Sequence, residues 1–468
     1  MTYKYFFFDF DCMLCDSYTH TTKAFVKTLF ETRGVKIKEK EAYDYLKITF
    51  GDAFAHFNVT EQEKKIFASY HEDLSFKPEA TLYLETIKLL KSIIESGGKN
   101  FIYTNRGQTL YEYLDKFNIR QYFTDIIIDA GKPDPTPLLE MIKKYNLDKK
   151  DCVVVGDRSI DVDGGYNAGI DGILYDVDSR VFMHHGTHVV RHINEIYNFI
   201  DRPYHIMHNY HTHTERCGHA IGLDEEYVIE AIKAGYQTLG FSEHVMFPDT
   251  TRNEEYFDTI ALLKEKYKEH IDIKIALEVE YFPYYLPLYK KYLDENKVDY
   301  LIFGNHSYLE PNESTRNNEK VFIEPFNDDS YLDLYYQCLE NAIKSKLFKY
   351  IAHPDCFLKG YGKWDEKAIA LTHKIAKLLQ DNNMYAELSG SGYRSRKKVI
   401  YNGEIYPAYP FKKFFEILAT YDIKFVLGCD AHSPSQLDDE AVEYVCNLAK
   451  ELNLPVVYKL DDLKNKTI

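Results

Sequence analysis

The sequence predicts an α/β protein made of two successive alternations of strand and helix, each carrying its own chemistry. Short apolar runs bounded by polar or turn residues recur along the 468 residues, with helical periodicity between them. One stretch of about 60 residues near the start breaks that alternation with helical pattern alone, too long for a connecting loop. Near residue 200 the residues at the ends of the runs change, from aspartates with Thr and Lys to histidines with single carboxylates. At about 150 residues per domain, the length is that of about three domains or sub-domains.

In the first half, strands are expected at Tyr5–Asp9, Asn100–Thr104, Ile126–Asp129, Cys152–Gly156 and Ile173–Asp176, and helices at stretches such as Tyr83–Glu95 and Pro137–Tyr145. Continuous short apolar runs suit buried parallel strands. Their βαβ order implies an open parallel sheet whose active edge lies at the carboxyl ends of the strands. The helical stretch, residues 17–78, reads as a cap inserted after the first strand. The segment Asp201–Asn209 reads as a linker between domains at 1–200 and 201–468.

In the second half, strands are expected at Ile206–His211, Gln237–Phe241, Ile273–Val279, Tyr300–Gly304, Tyr350–His353, Met384–Leu388 and Phe425–Gly428. Helices should fall near Asp224–Ala234, Glu254–His270, Asp329–Lys346, Asp365–Asp381 and Asp438–Glu451. Seven or so βα units in about 260 residues suit a (β/α) barrel, although periodicity alone also allows an open sheet.

Acidic residues outnumber basic ones 73 to 57, a net charge of −16, which argues against non-specific attraction to nucleic acid or an anionic membrane. No apolar run approaches the ~20 residues of a membrane span. Asp9 and Asp11 interrupt the apolar start, so no signal-peptide core is expected. The eight cysteines are scattered, with only Cys12 and Cys15 in a C-x-x-C pair. In a chain this long they fit a reducing cytoplasm, and that pair reads more simply as two small loop residues than as a redox couple.

FFFDFDCML sets Asp9 and Asp11 at the end of the first strand, where positions i and i+2 point the same way and can share a magnesium ion. One carboxylate could attack phosphorus while the other protonates the leaving oxygen. Thr104 in FIYTNRG, Lys132 in AGKPDP, and Asp157 with Asp161 in VVVGDRSID follow later strands, so all could meet at one sheet edge. A hydroxyl and an ammonium would hold phosphate oxygens, and the distal aspartates the metal. Singly, each motif is an ordinary turn or capped loop. Four in order, each behind a strand, resemble the haloacid dehalogenase-like (HAD) hydrolases, specifically cap-bearing phosphatases similar to phosphoglycolate phosphatase, over residues 1–200. That resemblance implies a Rossmann-like core, Asp9 as nucleophile, Asp11 as acid/base, Thr104 and Lys132 as phosphate ligands, and Asp157 with Asp161 holding magnesium. Cys12 and Met13 depart from the usual D-x-D-G-T, and a side chain where glycine is usual could strain the loop.

NYHTHTERCGHA supplies His211, His213 and His219, SEHVMFP supplies His244, and ALEVEYF supplies Glu278 and Glu280. GNHSY supplies His306, AHPD supplies His353, and GCDAH supplies Asp430 and His432. A lone strand histidine is usually a hydrogen-bonded core residue. Seven at strand ends with carboxylates, on the face of a barrel that carries chemistry, favour two or three divalent ions such as zinc, manganese or iron. His205 and His208 read as linker residues, and His270 and His373 as surface ones.

HTHT-x-x-C-x-HA, G-x-x-EEYV, GFSEH and ELSGSGYRSRKKVIYNGEIYP resemble the PHP superfamily, histidinol-phosphatase branch, over about residues 205–468. The resemblance implies a distorted (β/α)7 TIM-like barrel. It assigns one ion to His211, His213, Glu278 and Asp430, and a second to Glu278, His306 and His353. A third falls to His219, His244 and His432, and Arg394 to the substrate phosphate. Glu280 is the other candidate for the bridging carboxylate. Ser389 stands where Asn is usual, and the basic run Arg396–Lys398 reads as a solvated loop.

Together the halves imply a fused phosphomonoesterase acting on small phosphorylated metabolites, with no nucleic-acid or membrane partner expected. The second half would act on L-histidinol phosphate or a close relative, the first on a small ester that the sequence does not identify. Two other readings stand beside this one. The second half could be a nucleotide phosphodiesterase or nuclease, and the first a ligand-binding regulatory module without turnover. The sequence sets no oligomeric state.

Overall fold

The computed structural model describes residues 1–177, 179–201, 205–245, 251–309, 319–395 and 397–460. The chain divides into two compact units, Met1–Arg202 and Pro203–Ile468.

The first unit is built on a six-stranded parallel sheet. Its strands are β1 Tyr5–Phe8, β2 Lys99–Tyr103, β3 Asp125–Ile127, β4 Cys152–Gly156, β5 Asp171–Tyr175 and β6 His188–Val190. They lie in the order β3-β2-β1-β4-β5-β6. In central β1, Phe6, Phe7 and Phe8 are all fully buried, which explains a continuous apolar run where a one-sided strand would alternate. Edge strand β6 has only three residues, two of them partly or fully exposed, so no apolar run announces it. The capping stretch is four helices, α1 Tyr18–Arg33, α2 Glu39–Ile48, α3 Phe50–His56 and α4 Glu61–His71. They enclose their own core of Phe25, Leu29, Leu46 and Phe67. Helix α4 starts at a capping box, with Thr60 and Glu63 satisfying each other's backbone N–H.

The second unit is a ring of seven parallel strands. They are β7 His208–Asn209, β8 Thr238–His244, β9 Asp272–Val279, β10 Tyr300–Gly304, β11 Tyr350–Ala352, β12 Tyr385–Ser389 and β13 Phe425–Gly428. Each pairs with its sequence neighbour. The first and last meet just beyond their ends: Thr212 bridges Ala431, and His213 N–H donates to the Ala431 carbonyl at 2.9 Å. The Cys429 N–H donates to Asn209 Oδ1 at 2.9 Å. That contact decides between open sheet and barrel. Tyr210, Ala276, Tyr300, Ile302, Tyr350 and Val426 form a separate small cluster contributed by alternate positions of the ring.

Two stretches differ from their sequence reading. His208 and Asn209, read both as the end of the linker and as part of the expected strand Ile206–His211, belong to the strand, and His208 is buried. Residues of the linker numbered 202–204 lie outside the described residues, as does Arg396 of the basic run. The rest of that run opens a hairpin, Lys398–Tyr401 against Glu404–Pro407, whose Ile400 and Ile405 are exposed. Among the described residues, no helix is long and apolar enough to cross a membrane.

Candidate active sites

In the first unit the four motifs meet beyond the carboxyl ends of β1, β2, β3 and β4. Lys132 donates to Asp9 Oδ1 at 2.8 Å and to Asp161 Oδ1 at 2.7 Å, all three side chains being buried. The other oxygen of Asp161 accepts the Arg158 N–H at 3.0 Å, so this carboxylate is occupied on both sides and orients Lys132. Asp157 Oδ2 accepts from two residues of the capping helices, Tyr18 Oη at 2.6 Å and Lys47 Nζ at 2.8 Å. Asp9 Oδ2 and Asp157 Oδ1 are buried with no hydrogen-bond partner. Two orphaned carboxylate oxygens are costly to bury and are hard donors of the kind magnesium takes, so the residues fit that ion.

Asp11 is gripped by a residue that sequence reasoning passed over. Arg106, two positions after Thr104 in TNRG, meets it side-on, Nε to Oδ2 and Nη2 to Oδ1, both at 2.8 Å. Burial works to raise Asp11, but the guanidinium outweighs it and holds the carboxyl well below the usual range. Asp9 behaves oppositely: burial raises it to about 7 despite Lys132. Buried Thr104 accepts the Arg106 N–H on its hydroxyl at 3.2 Å. Cys12 takes the left-handed conformation, φ +62°, at the position where glycine is usual, and its Sγ lies 3.1 Å from Ser17 Oγ. A cavity of about 290 Å³ opens here, lined by Asp11, His71, Thr104, Arg106, Asp157 and Arg158 among others.

In the second unit, Glu278 on β9 is the hub. Its Oε2 lies 3.4 Å from His211 Nε2, 3.2 Å from His213 Nε2 and 3.6 Å from His244 Nδ1. Its Oε1 lies 2.9 Å from His353 Nε2 and 3.6 Å from His306 Nε2. Gly304 makes room, because a Cβ there would stand 2.2 Å from Glu278 Oε1. Asp430 faces the group from the other side, its Oδ1 3.6, 3.4 and 3.5 Å from His211, His213 and His432, while Oδ2 accepts from Ser389 Oγ at 3.0 Å. Glu280 Oε1 lies 3.7 Å from His306 Nδ1.

Two ligand atoms about 2.1 Å from one tetrahedral ion stand about 3.4 Å apart, which is the spacing seen here. The His211 and His213 Nε2 atoms are 3.1 Å apart, and those of His219 and His432 3.0 Å. His211–His213–Asp430, His213–His244–Glu278 and Glu278–His306–His353 each converge as a possible ligand set. The donor chemistry fits borderline divalent ions.

Two carboxylates behind the rings were not singled out from sequence. Glu387, in the ELSGSG stretch on β12, has its two oxygens 2.9 and 3.1 Å from His211 Nδ1, and it also accepts the His353 N–H at 3.2 Å. Glu243, beside His244, has Oε1 3.7 Å from His213 Nδ1 and Oε2 accepting the Thr214 N–H at 2.8 Å. Such partners fix ring orientation and tautomer. Burial works to lower His211, but Glu387, Asp430 and Glu278 outweigh it and push the ring up to about 10.

Arg394 lines the cavity of about 680 Å³ over this site, yet all three of its nitrogens bond to the protein. Nε and Nη2 donate to Asp439 at 2.7 and 2.9 Å, Nη1 to the Cys429 carbonyl at 2.7 Å, and Nη2 also to the Gln436 carbonyl at 2.8 Å. Here it braces the loops after β12 and β13. Lys359 and Arg252 line the same cavity without an ion pair among the described residues.

Comparison with known proteins divides the chain in the same place. Residues 6–175 match the family model for haloacid dehalogenase-like hydrolases, and residues 209–391 that for the PHP domain. A protein described as a probable histidinol-phosphatase of Deinococcus radiodurans is 26% identical over 48% of this chain and 86% of its own. The pyrophosphatase PpaX of Halalkalibacterium halodurans is 28% identical over 35% of this chain and 79% of its own. A solved histidinol phosphate phosphatase of Lactococcus lactis, complexed with zinc, L-histidinol and phosphate, covers 55% of this chain and 98% of its own at 17% identity and TM-score 0.44. The chain joins a haloacid dehalogenase-like hydrolase unit to a PHP unit similar to the histidinol-phosphatase branch, and it is a phosphatase.

Proposed function

We propose that the PHP unit, residues 201–468, hydrolyses L-histidinol phosphate or a close small phosphate ester to alcohol and phosphate. In this reading the HAD unit, residues 1–200 with its cap at 17–78, is a magnesium-dependent phosphatase of a second small ester, and both act in the cytoplasm. The convergence of five imidazoles on Glu278 carries the reading for the PHP unit. The similarity to a probable histidinol-phosphatase points to the substrate. Zinc, manganese or iron held by these residues would lower the pKa of water and polarise the phosphoryl oxygens. Glu387 and Glu243 keep His211 and His213 turned inward, and Lys359 and Arg252, without an ion pair among the described residues, are cations available to the substrate phosphate. In the HAD unit, the Asp9 carboxylate would attack phosphorus and expel the alcohol, with water then cleaving the aspartyl phosphate.

A second reading of the HAD unit, a ligand-binding module without turnover, is favoured by one observation. Asp11, the acid/base of the reading above, is held ionised by Arg106 and has no proton to give until that grip opens.

Phosphate release from L-histidinol phosphate tests both units in the intact chain, Asp9→Asn and His211→Ala/His213→Ala. Turnover should survive Asp9→Asn and fall by roughly a thousandfold in the double variant, as loss of several kcal/mol of charge stabilisation requires. If histidinol phosphate is inert in all three while nucleotides or other esters are cleaved, the substrate assignment is wrong. An ester cleaved with the opposite pattern identifies the HAD substrate, and its absence favours the binding module.

A further inference from the structure

Cys217 stands at the outer edge of the histidine site, and its Sγ and ring nitrogens of His219 and His432 lie within 4.8 Å of one another. The local chain builds this arrangement. Glu215–Cys217 form a single tight turn capped by Thr214, whose hydroxyl accepts the Arg216 N–H. Gly218 then takes φ +81°, a conformation that favours glycine, and reverses the chain so that Cys217 and His219 flank one point.

The two imidazoles need a cation between them. His219 Nδ1 lies 3.1 Å from the Cys217 carbonyl, and His432 Nδ1 3.1 Å from the Asp430 carbonyl. A carbonyl only accepts, so each Nδ1 carries the proton and each Nε2 presents a lone pair. Those lone pairs face each other at 3.0 Å. His244, which the resemblance placed in this third set, also converges with His213 and Glu278.

We propose that the outermost ion is held by the Cys217 thiolate together with His219 and His432. This inference rests on the metal-site reading above and sharpens it. A thiolate selects a borderline-soft ion, zinc, against magnesium and manganese. Binding forms an S–Zn bond and releases the thiol proton to solvent.

Cobalt(II) loaded into the chelator-stripped full chain tests the proposal. Wild type should show a near-ultraviolet thiolate-to-cobalt charge-transfer band. Cys217→Ser and His219→Ala should lose that band while keeping the visible bands of the remaining cobalt, and Cys217→Ser should hold one zinc fewer per chain. Visible bands without the charge-transfer band in wild type, or a band unchanged in Cys217→Ser, overturn the cysteine ligand and leave the rest of the site standing. Absence of every cobalt band overturns both the cysteine ligand and the metal reading. Alkylation provides a readout that does not depend on a variant's folding. Zinc should protect Cys217 of wild type from iodoacetamide, measured by mass spectrometry of its peptide, and equal labelling with and without zinc overturns the proposal.

Discussion

In the HAD unit the site aspartates meet cations of the chain itself: Lys132 lies between Asp9 and Asp161, Arg106 grips Asp11, and Lys47 reaches Asp157. In the PHP unit Glu278 and Asp430 meet imidazoles, and among the described residues neither side chain pairs with Lys or Arg. The first site is close to electrically complete as the chain folds, with orphaned oxygens on Asp9 and Asp157. The second balances its carboxylates only when protons or metal ions join the rings. The elevated His211, pushed up to about 10 against the effect of burial by Glu387, Asp430 and Glu278, expresses that demand. Metal binding would therefore displace protons from the rings of the PHP unit, whereas in the HAD unit the neutralising cations are already in place.

Lys132→Met breaks the comparison hardest. It leaves Asp9 and Asp161 buried without their shared cation, and removing one partner of a buried pair costs about 3–5 kcal/mol. Chemical denaturation should show the HAD transition shifted by that amount and the PHP transition unmoved. A cost below about 1 kcal/mol would mean that solvent or an ion already neutralises the aspartates.

Glu387→Gln probes the PHP unit at the same depth. The amide keeps the shape of the side chain but not the charge that orients His211. Zinc affinity, measured by competition with a chelator, should fall about 10–100-fold. An unchanged affinity would show that packing alone aims the ring.

How much of this was legible in the sequence follows from whether a partner is local. Strands Cys152–Gly156, Tyr300–Gly304 and Phe425–Gly428 and helix Asp224–Ala234 fall on the residues the apolar pattern marks, because burial and turn signals are local. The carboxyl-end placement of Asp9, His211 and Asp430 follows from strand order. Arg106, Lys47, Glu243 and Glu387 do not announce themselves: each looks like an ordinary charged residue until the fold brings its partner from as far as 176 positions away. Ring closure at Thr212 and Ala431 is invisible for the same reason, since strand periodicity is identical in a sheet and a barrel. His208, which directly follows an irregular segment, reads both as linker and as strand, and the fold settles it as a strand residue.

That same His208 gives the finest test of the contrast, because it sits three residues before His211 and faces no carboxylate within ion-pair distance among the described residues. Its Nδ1 lies 2.8 Å from Thr238 Oγ1. Burial, then the nearby Lys459, lowers it to about 4, opposite in direction to His211. The unfolded chain protonates this histidine near 6.5 and the folded chain only near 4, so between those values the unfolded state holds more protons. Its contribution is intact above about pH 6.5 and is lost as pH falls toward 4, about 2 kcal/mol between pH 7 and 5. His208→Gln removes the titration, so the stability advantage of wild type over the variant should shrink by that amount on acidification, read from denaturation of the metal-loaded chain. A difference that stays constant with pH would show His208 titrating as it does in water.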